Sequence, residues 1–187
     1  MTPSSLLLTG CAQSLRCLSA WLDKACEEAD DADALMGLRL APDMFPLASQ
    51  VRFACFQALE PCYRLAGHPV ADSAVAIRNE GAAAGETAGT FAAAQARIAE
   101  TLTMMGAMDH GAMDAGAQRA VALDLPMGMI FDFESGEAYV RDWALPQFYF
   151  HLNAAYAVLR HHGAPLGKVD YVAYALPCLR PGTAPGG

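Results

Sequence analysis

Charge is scarce in this chain, and positive charge scarcest. Of 187 residues 17% are charged, with 12 Lys and Arg against 20 Asp and Glu, a formal net charge of −8. The basic residues form no cluster, so the chain cannot supply the phosphate neutralisation on which nucleic-acid binding rests. Nucleic acid is therefore not an expected partner. Long apolar runs are also missing, so no segment is expected to span a membrane. Leu8-Thr9-Gly10-Cys11 has the form of a lipoprotein cleavage site. However, no Lys or Arg precedes Cys11, and the apolar run is only Leu6-Leu7-Leu8, short of the roughly 7–15 residues a signal segment needs. The six cysteines (Cys11, Cys17, Cys26, Cys55, Cys62 and Cys178) include no C-x-x-C pair and no zinc spacing. Five of them fall in apolar helical stretches, where a reduced thiol packs as a small hydrophobe, and a cytoplasmic location follows as the expectation. The chain has no Ser/His/Asp order, P-loop, dinucleotide fingerprint or internal repeat, and no carboxylate pair is placed for acid–base work.

What remains is 54% apolar and rich in alanine, which favours closely packed helices. A first helix is expected from Pro3 to Glu28, with Leu7, Cys11, Leu15, Leu18, Leu22 and Ala25 as its buried stripe. The acidic run Glu27 to Asp33 ends it. A second helix is expected to open at Asp43 as N-cap, with Pro46 in its first turn. Leu47, Val51, Ala54, Ala58, Cys62 and Leu65 form its stripe, Pro61 a kink near Gln57, and Gly67-His68-Pro69 a stop. Residues 70–87 show little period and read as a mobile connection. A third helix is expected from Thr87 or Thr90 to Met105, dissolving into a Met- and Gly-rich loop to Gly116.

Residues 119–142 change character. Alternation over Arg119–Asp124, the apolar Met129–Phe133 and the turn Glu134-Ser-Gly136 before Ala138-Tyr-Val-Arg141 predict a small antiparallel hairpin. The last long helix, from Ala144 or Pro146 to His162, is apolar nearly all round and is expected to be the most central. The fold class read from this pattern is mainly all-α: a four-helix bundle with a hairpin between its third and fourth helices. Residues 1–175 form one domain, and 176–187 a flexible tail.

Two stretches are more specific. Arg39-Leu-Ala-Pro-Asp-Met-Phe-Pro-Leu-Ala48 is followed by Gln50-Val51. Ala144-Leu-Pro-Gln-Phe-Tyr-Phe-His151 is followed by Ala155-Tyr156, Leu159-Arg-His161, Gly163 and Gly167-Lys168. Together they resemble a bacterial family of uncharacterised proteins, domain-of-unknown-function family 1993 (DUF1993), over roughly residues 5 to 172. The resemblance implies a DinB-like four-helix bundle. That superfamily often holds a divalent metal with one histidine from the second helix and a His-x-x-x-His on the last, and includes thiol-dependent transferases and isomerases. Here the second helix has no histidine, and Ala155 stands four residues after His151. The three-histidine site does not carry over, and no metal ligands are assigned.

His151 is the leading candidate residue. Eleven residues along a helix rise about 16 Å, so His162 cannot share an ion with it. His151 is either a core histidine bonded to Gln50, Tyr149 or Asp142, or a ligand contact. His161-His162 complements the negative helix end. Arg39 and Asp43 read as an ionic pair around a helix cap, or, with Gln50, Tyr149 and Tyr156, as the lining of a ligand pocket between the second and last helices. Met104, Met105, Met108, His110 and Met113 resemble copper-binding segments in miniature, but the chain has no export signal and a variable loop is expected. The first functional reading is a module that binds a small molecule or an interaction partner, homodimeric through an apolar helix face. The alternative is a metal- or thiol-dependent transferase or hydrolase-like enzyme with an altered site around His151. Neither reading names a cofactor.

Overall fold

The computed structural model describes residues 1–125 and 128–183. The chain opens in wide, π-type helical turns over Ser5–Cys11 and continues as α1 (Ala12–Glu27). A short α2 (Ala32–Leu35) follows, its first turn held by the Asp31 carboxylate, which accepts from the N–H groups of Asp33 and Ala34. Then come α3 (Leu47–Ala66), α4 (Asp72–Ala83), α5 (Phe91–Gly106) and α6 (His110–Ala115). Strands β1 (Val121–Asp124) and β2 (Ile130–Phe133) pair antiparallel, with Val121 opposite Phe133 and Leu123 opposite Phe131. α7 (Gly136–Tyr139), a second wide-turned stretch over Val140–Ala144, α8 (Leu145–His161), α9 (Lys168–Tyr171) and a 3-10 turn (Ala173–Cys178) complete the order. The bundle consists of α1, α3, α5 and α8: α3 packs on α5 and α8, and α1 closes the other side against the same two. The hairpin lies between α5 and α8, where the sequence pattern puts it.

α3, not α8, is the central helix. Fifteen of its twenty residues are buried, against six of seventeen in α8, because α4 and α6 cover the sides of α3 that α5 and α8 leave free. Each large aliphatic side chain so buried, such as Val51, Leu59 or Leu65, stabilises by about 1.5–3 kcal/mol. The start of α3 also differs from expectation. Pro46 is the N-cap, in extended backbone, and Asp43 lies exposed in the preceding turn. A carboxylate cap is unnecessary: the N–H groups of Leu47 and Ala48 donate to the carbonyls of Leu38 (2.8 Å) and Met36 (3.0 Å). The helix runs through Pro61 without interruption to Ala66, and Gly67 ends it at φ +76°.

Three connections hold more structure than their sequences suggest. Residues 70–87 are not a mobile link; α4 packs its Ala74, Ile77 and Gly81 onto α3, a stripe too small-sided to show a clear period. At Gly81 a Cβ would stand 2.8 Å from the Phe53 ring, so only glycine allows this approach. The Met-rich segment contains α6, capped by the Asp109 carboxylate, and it buries Met105 and Met113 in the core. Its thioethers pack as hydrophobes rather than forming an open loop. Glu134-Ser-Gly136 is not a strand turn: the Ser135 hydroxyl accepts from the Ala138 N–H and starts α7, so the final helical run begins well before Ala144. The tail expected over 176–187 begins within the last 3-10 turn, and its residues 184–187 lie outside the described residues.

The tightest approach is at the end of α3. A Cβ on Gly116 would collide with the Leu65 carbonyl, and one on Gly136 with the Gly116 carbonyl. Gly106 closes α5 with nothing within 4 Å. Gly116→Ala is therefore expected to cost about 3 kcal/mol or more. Gly106→Ala should be neutral or stabilising by up to about 1 kcal/mol. Urea unfolding of the two variants checks both, and equal effects would refute the close approach.

Candidate functional site

The two signature stretches meet across the α3–α8 interface. Gln50, in the first turn of α3, accepts at Oε1 from His151 Nδ1 of α8 at 2.9 Å and donates from Nε2 to the Phe45 carbonyl at 3.2 Å. The second bond fixes the amide, and the amide in turn fixes the imidazole: with Oε1 facing the ring, Nδ1 carries the hydrogen and Nε2 keeps its lone pair. The half-buried His151 ring stands between two others, 5.0 Å from Phe53 and 5.2 Å from Phe150. Phe53 in turn meets Phe45 edge-on at 5.2 Å. Four rings thus run in contact from the loop before α3 across to α8. The two ends of the row are open, Phe45 being 47% and Phe150 59% exposed.

Burial pushes the His151 imidazole down to about 4, so the ring is neutral at pH 7. Nothing cationic is needed to explain this, because desolvation alone disfavours the charged form. The result is a neutral acceptor nitrogen with fixed tautomer, flanked by apolar rings.

The other expected pocket residues are dispersed. Arg39 does not pair with Asp43; its guanidinium donates to the carbonyls of Met44 (2.7 Å) and Gly85 (2.6 Å), clamping the loop that carries Phe45 to the end of α4. Asp43 points to solvent outside this arrangement. Tyr149 turns to the wide-turned stretch before α1, where its hydroxyl lies beside Gly10. Tyr156 packs edge-on against Trp21 (5.2 Å) and Tyr171 (5.5 Å). There α9 is strapped across α1: Trp21 stacks on Tyr171, its indole N–H donates to the Asp170 carbonyl (3.0 Å), and Lys24 pairs with the Asp170 carboxylate (2.5 Å). Asp142 pairs with Arg141 rather than His151. His162 donates to the Arg39 carbonyl (3.0 Å), tying the end of α8 to the same loop. Neither Phe53 nor Phe150 is among the pocket residues expected from the sequence, although Phe150 stands within the second signature stretch. Phe53 lies three residues after Gln50, on the same helix face, and that spacing was its signal.

The metal of the superfamily does not fit here. Among the described residues no three His, Cys, Asp or Glu side chains converge on one point. The second-helix position opposite His151 is occupied by an amide that uses its oxygen on the imidazole. Thiol chemistry is disfavoured at the buried cysteines, since burial pushes Cys55 and Cys62 up to about 12 and Cys11 higher still. His151 lines none of the surface grooves formed around Leu145, Leu159, Leu102, Tyr174 and Arg119.

The profile of a domain of unknown function, DUF1993, matches residues 5–172. The crystal structure of a DinB family member protein from Shewanella denitrificans is 29% identical and superposes with a TM-score of 0.71, covering 97% of this chain and 95% of that one. No curated protein matches the chain.

The neutral imidazole sets a pH dependence. The unfolded chain protonates this histidine near its ordinary 6.5, the folded chain only near 4, so between those values acid favours unfolding. The stability at stake is intact above pH 6.5 and about 3 kcal/mol lower by pH 4. His151→Asn keeps an N–H for Gln50 and does not titrate, so its unfolding free energy should fall less steeply across that window. Urea denaturation at a series of pH values measures this, and an unchanged slope would assign the acid sensitivity to other groups.

Proposed function

The chain belongs to the DUF1993 family and has the four-helix fold of a DinB protein, and from that premise we propose that it is a binding module working through the His151 face. The carrying observation is the row of four rings with a neutral imidazole inside it, its Nε2 free to accept. Such a face fits a flat, neutral group that donates one hydrogen bond: the group stacks on the exposed Phe150 and Phe45 rings and donates to His151. Gln50 is a positioning residue, since it holds the tautomer through Nδ1. The face is a ridge rather than a deep hollow, so the flat group belongs either to a small molecule laid on it or to a second copy of the chain covering Phe45 and Phe150. A cytoplasmic location fits six cysteines none of which is in a disulfide. The enzyme reading, a metal- or thiol-dependent transferase or hydrolase, would need donors or reactive thiols that this face does not offer.

The probe is indole, flat and with one N–H donor. Titrated into protein labelled with ¹⁵N at histidine, it should shift the His151 Nε2 resonance saturably. His151→Phe, which keeps a ring and loses the nitrogen, should weaken binding about tenfold, the worth of one hydrogen bond to a desolvated acceptor. Sedimentation of wild type and Phe150→Asp separates the two sources: a dimer dissolved by Phe150→Asp assigns the face to self-pairing. A monomer with no indole response, or equal indole binding by His151→Phe, overturns the reading.

A further inference from the structure

We propose a second binding site, in the groove between α1 and α5, for an organic monoanion with an apolar body, a medium-chain carboxylate being the simplest case. The groove has a volume of about 330 Å³, at the lower end of the roughly 300–1,000 Å³ usual for small-molecule sites. Leu8, Ala12, Leu102 and Met105 give it an apolar floor, and Thr9, Gln13, Arg16 and His110 a polar rim.

Arg16 is what selects the ligand. Among the described residues the other helix-borne arginines are engaged. Arg52, Arg64, Arg97 and Arg141 face carboxylates. Arg160 donates to the Ala164 carbonyl, and Arg78 lies over the Phe56 ring. Arg16 has neither a carboxylate nor a carbonyl partner among those residues, and it is exposed on the wall of the groove. The carboxylates nearest His110 do not compete for it: Asp109 caps α6 by accepting from the Ala112 N–H, and Asp114 accepts from the Ser4 N–H and hydroxyl. A planar guanidinium with a hydroxyl and an amide beside it matches one carboxylate, and does so with two parallel bonds. The net charge of −8 disfavours any ligand of higher negative charge. The apolar floor then takes the ligand's chain, with the soft Met105 thioether adapting to its shape. A neighbouring groove shares Gln13 and Arg16 but is walled by Cys17, Ala20, Ala173 and Tyr174, so an anion held at Arg16 has apolar surface on either side.

Octanoate and 1-octanol are the probes, titrated into protein with labelled methyl groups. Octanoate should shift the Leu8, Leu102 and Met105 methyls saturably and bind about tenfold more tightly than octanol, the worth of one charge-assisted contact. Arg16→Gln should erase that difference and leave octanol unchanged. Gly106→Phe, which fills the groove from a position with nothing within 4 Å, should block both ligands. The proposal is overturned if octanol matches octanoate in the wild type, if Arg16→Gln binds octanoate as the wild type does, or if the shifts fall at the Ala20 and Ala173 methyls instead. None of these outcomes depends on His151.

Discussion

A buried arginine on the central helix governs the arrangement of everything around the site. Arg52, 5% exposed, donates to the Ala48 carbonyl within its own helix, and its Nε faces Glu80 of α4 at 3.7 Å. Glu80 is also bound by Arg97 of α5, which pairs with Glu100 as well. A guanidinium left alone at this depth would be penalised by several kcal/mol, so α4 is held where Glu80 can answer it, and Arg97 ties α5 to the same carboxylate. That requirement presses Gly81 onto Phe53 and brings the end of α4 to Arg39. Phe53 is thereby set against His151, and the loop carrying Phe45 is set against Phe53. The ring row thus depends on a charge that touches none of its members through a hydrogen bond.

The long helices were legible because their buried stripes are made of large side chains. α1, α3, α5 and α8 stand close to where the spacing predicts them, with Thr90, Gly67 and Gly163 at their ends as expected. α4 was not legible, since Ala74 and Gly81 carry little hydrophobic contrast although they pack fully. The start of α3 misled for another reason: carbonyls of residues 36 and 38 satisfy its N–H groups, and no local pattern shows a tertiary acceptor. At the site, the Gln50–His151 pair was readable as one of three alternatives. The two tyrosines were wrongly grouped with it. At about 100° per residue, Tyr149 lies roughly 160° and Tyr156 roughly 140° around α8 from His151, so helix geometry alone separates them.

Two positions separate this chain from the three-histidine pattern: the second helix carries no histidine, and Ala155 stands four residues after His151. A histidine on α3 facing α8 would present a second imidazole to a metal; Gln50 instead presents an amide that satisfies the first. An amide oxygen is a hard, neutral donor, poorly suited to the borderline metals that imidazoles favour. The same two helices, at the same kind of crossing, therefore hold a fixed neutral acceptor. The fold supplies the convergence of elements, and the residues placed there decide whether that convergence coordinates or merely receives a hydrogen.

The strap of α9 across α1 has a consequence for the order in which the bundle can be completed. Trp21 is anchored by the Asp170 carbonyl, 149 residues further along the chain. A chain made from its N-terminus has synthesised α3, α5 and α8 before the partner of its first helix exists. The indole therefore gains its final hydrogen bond only once α8 and α9 have been made.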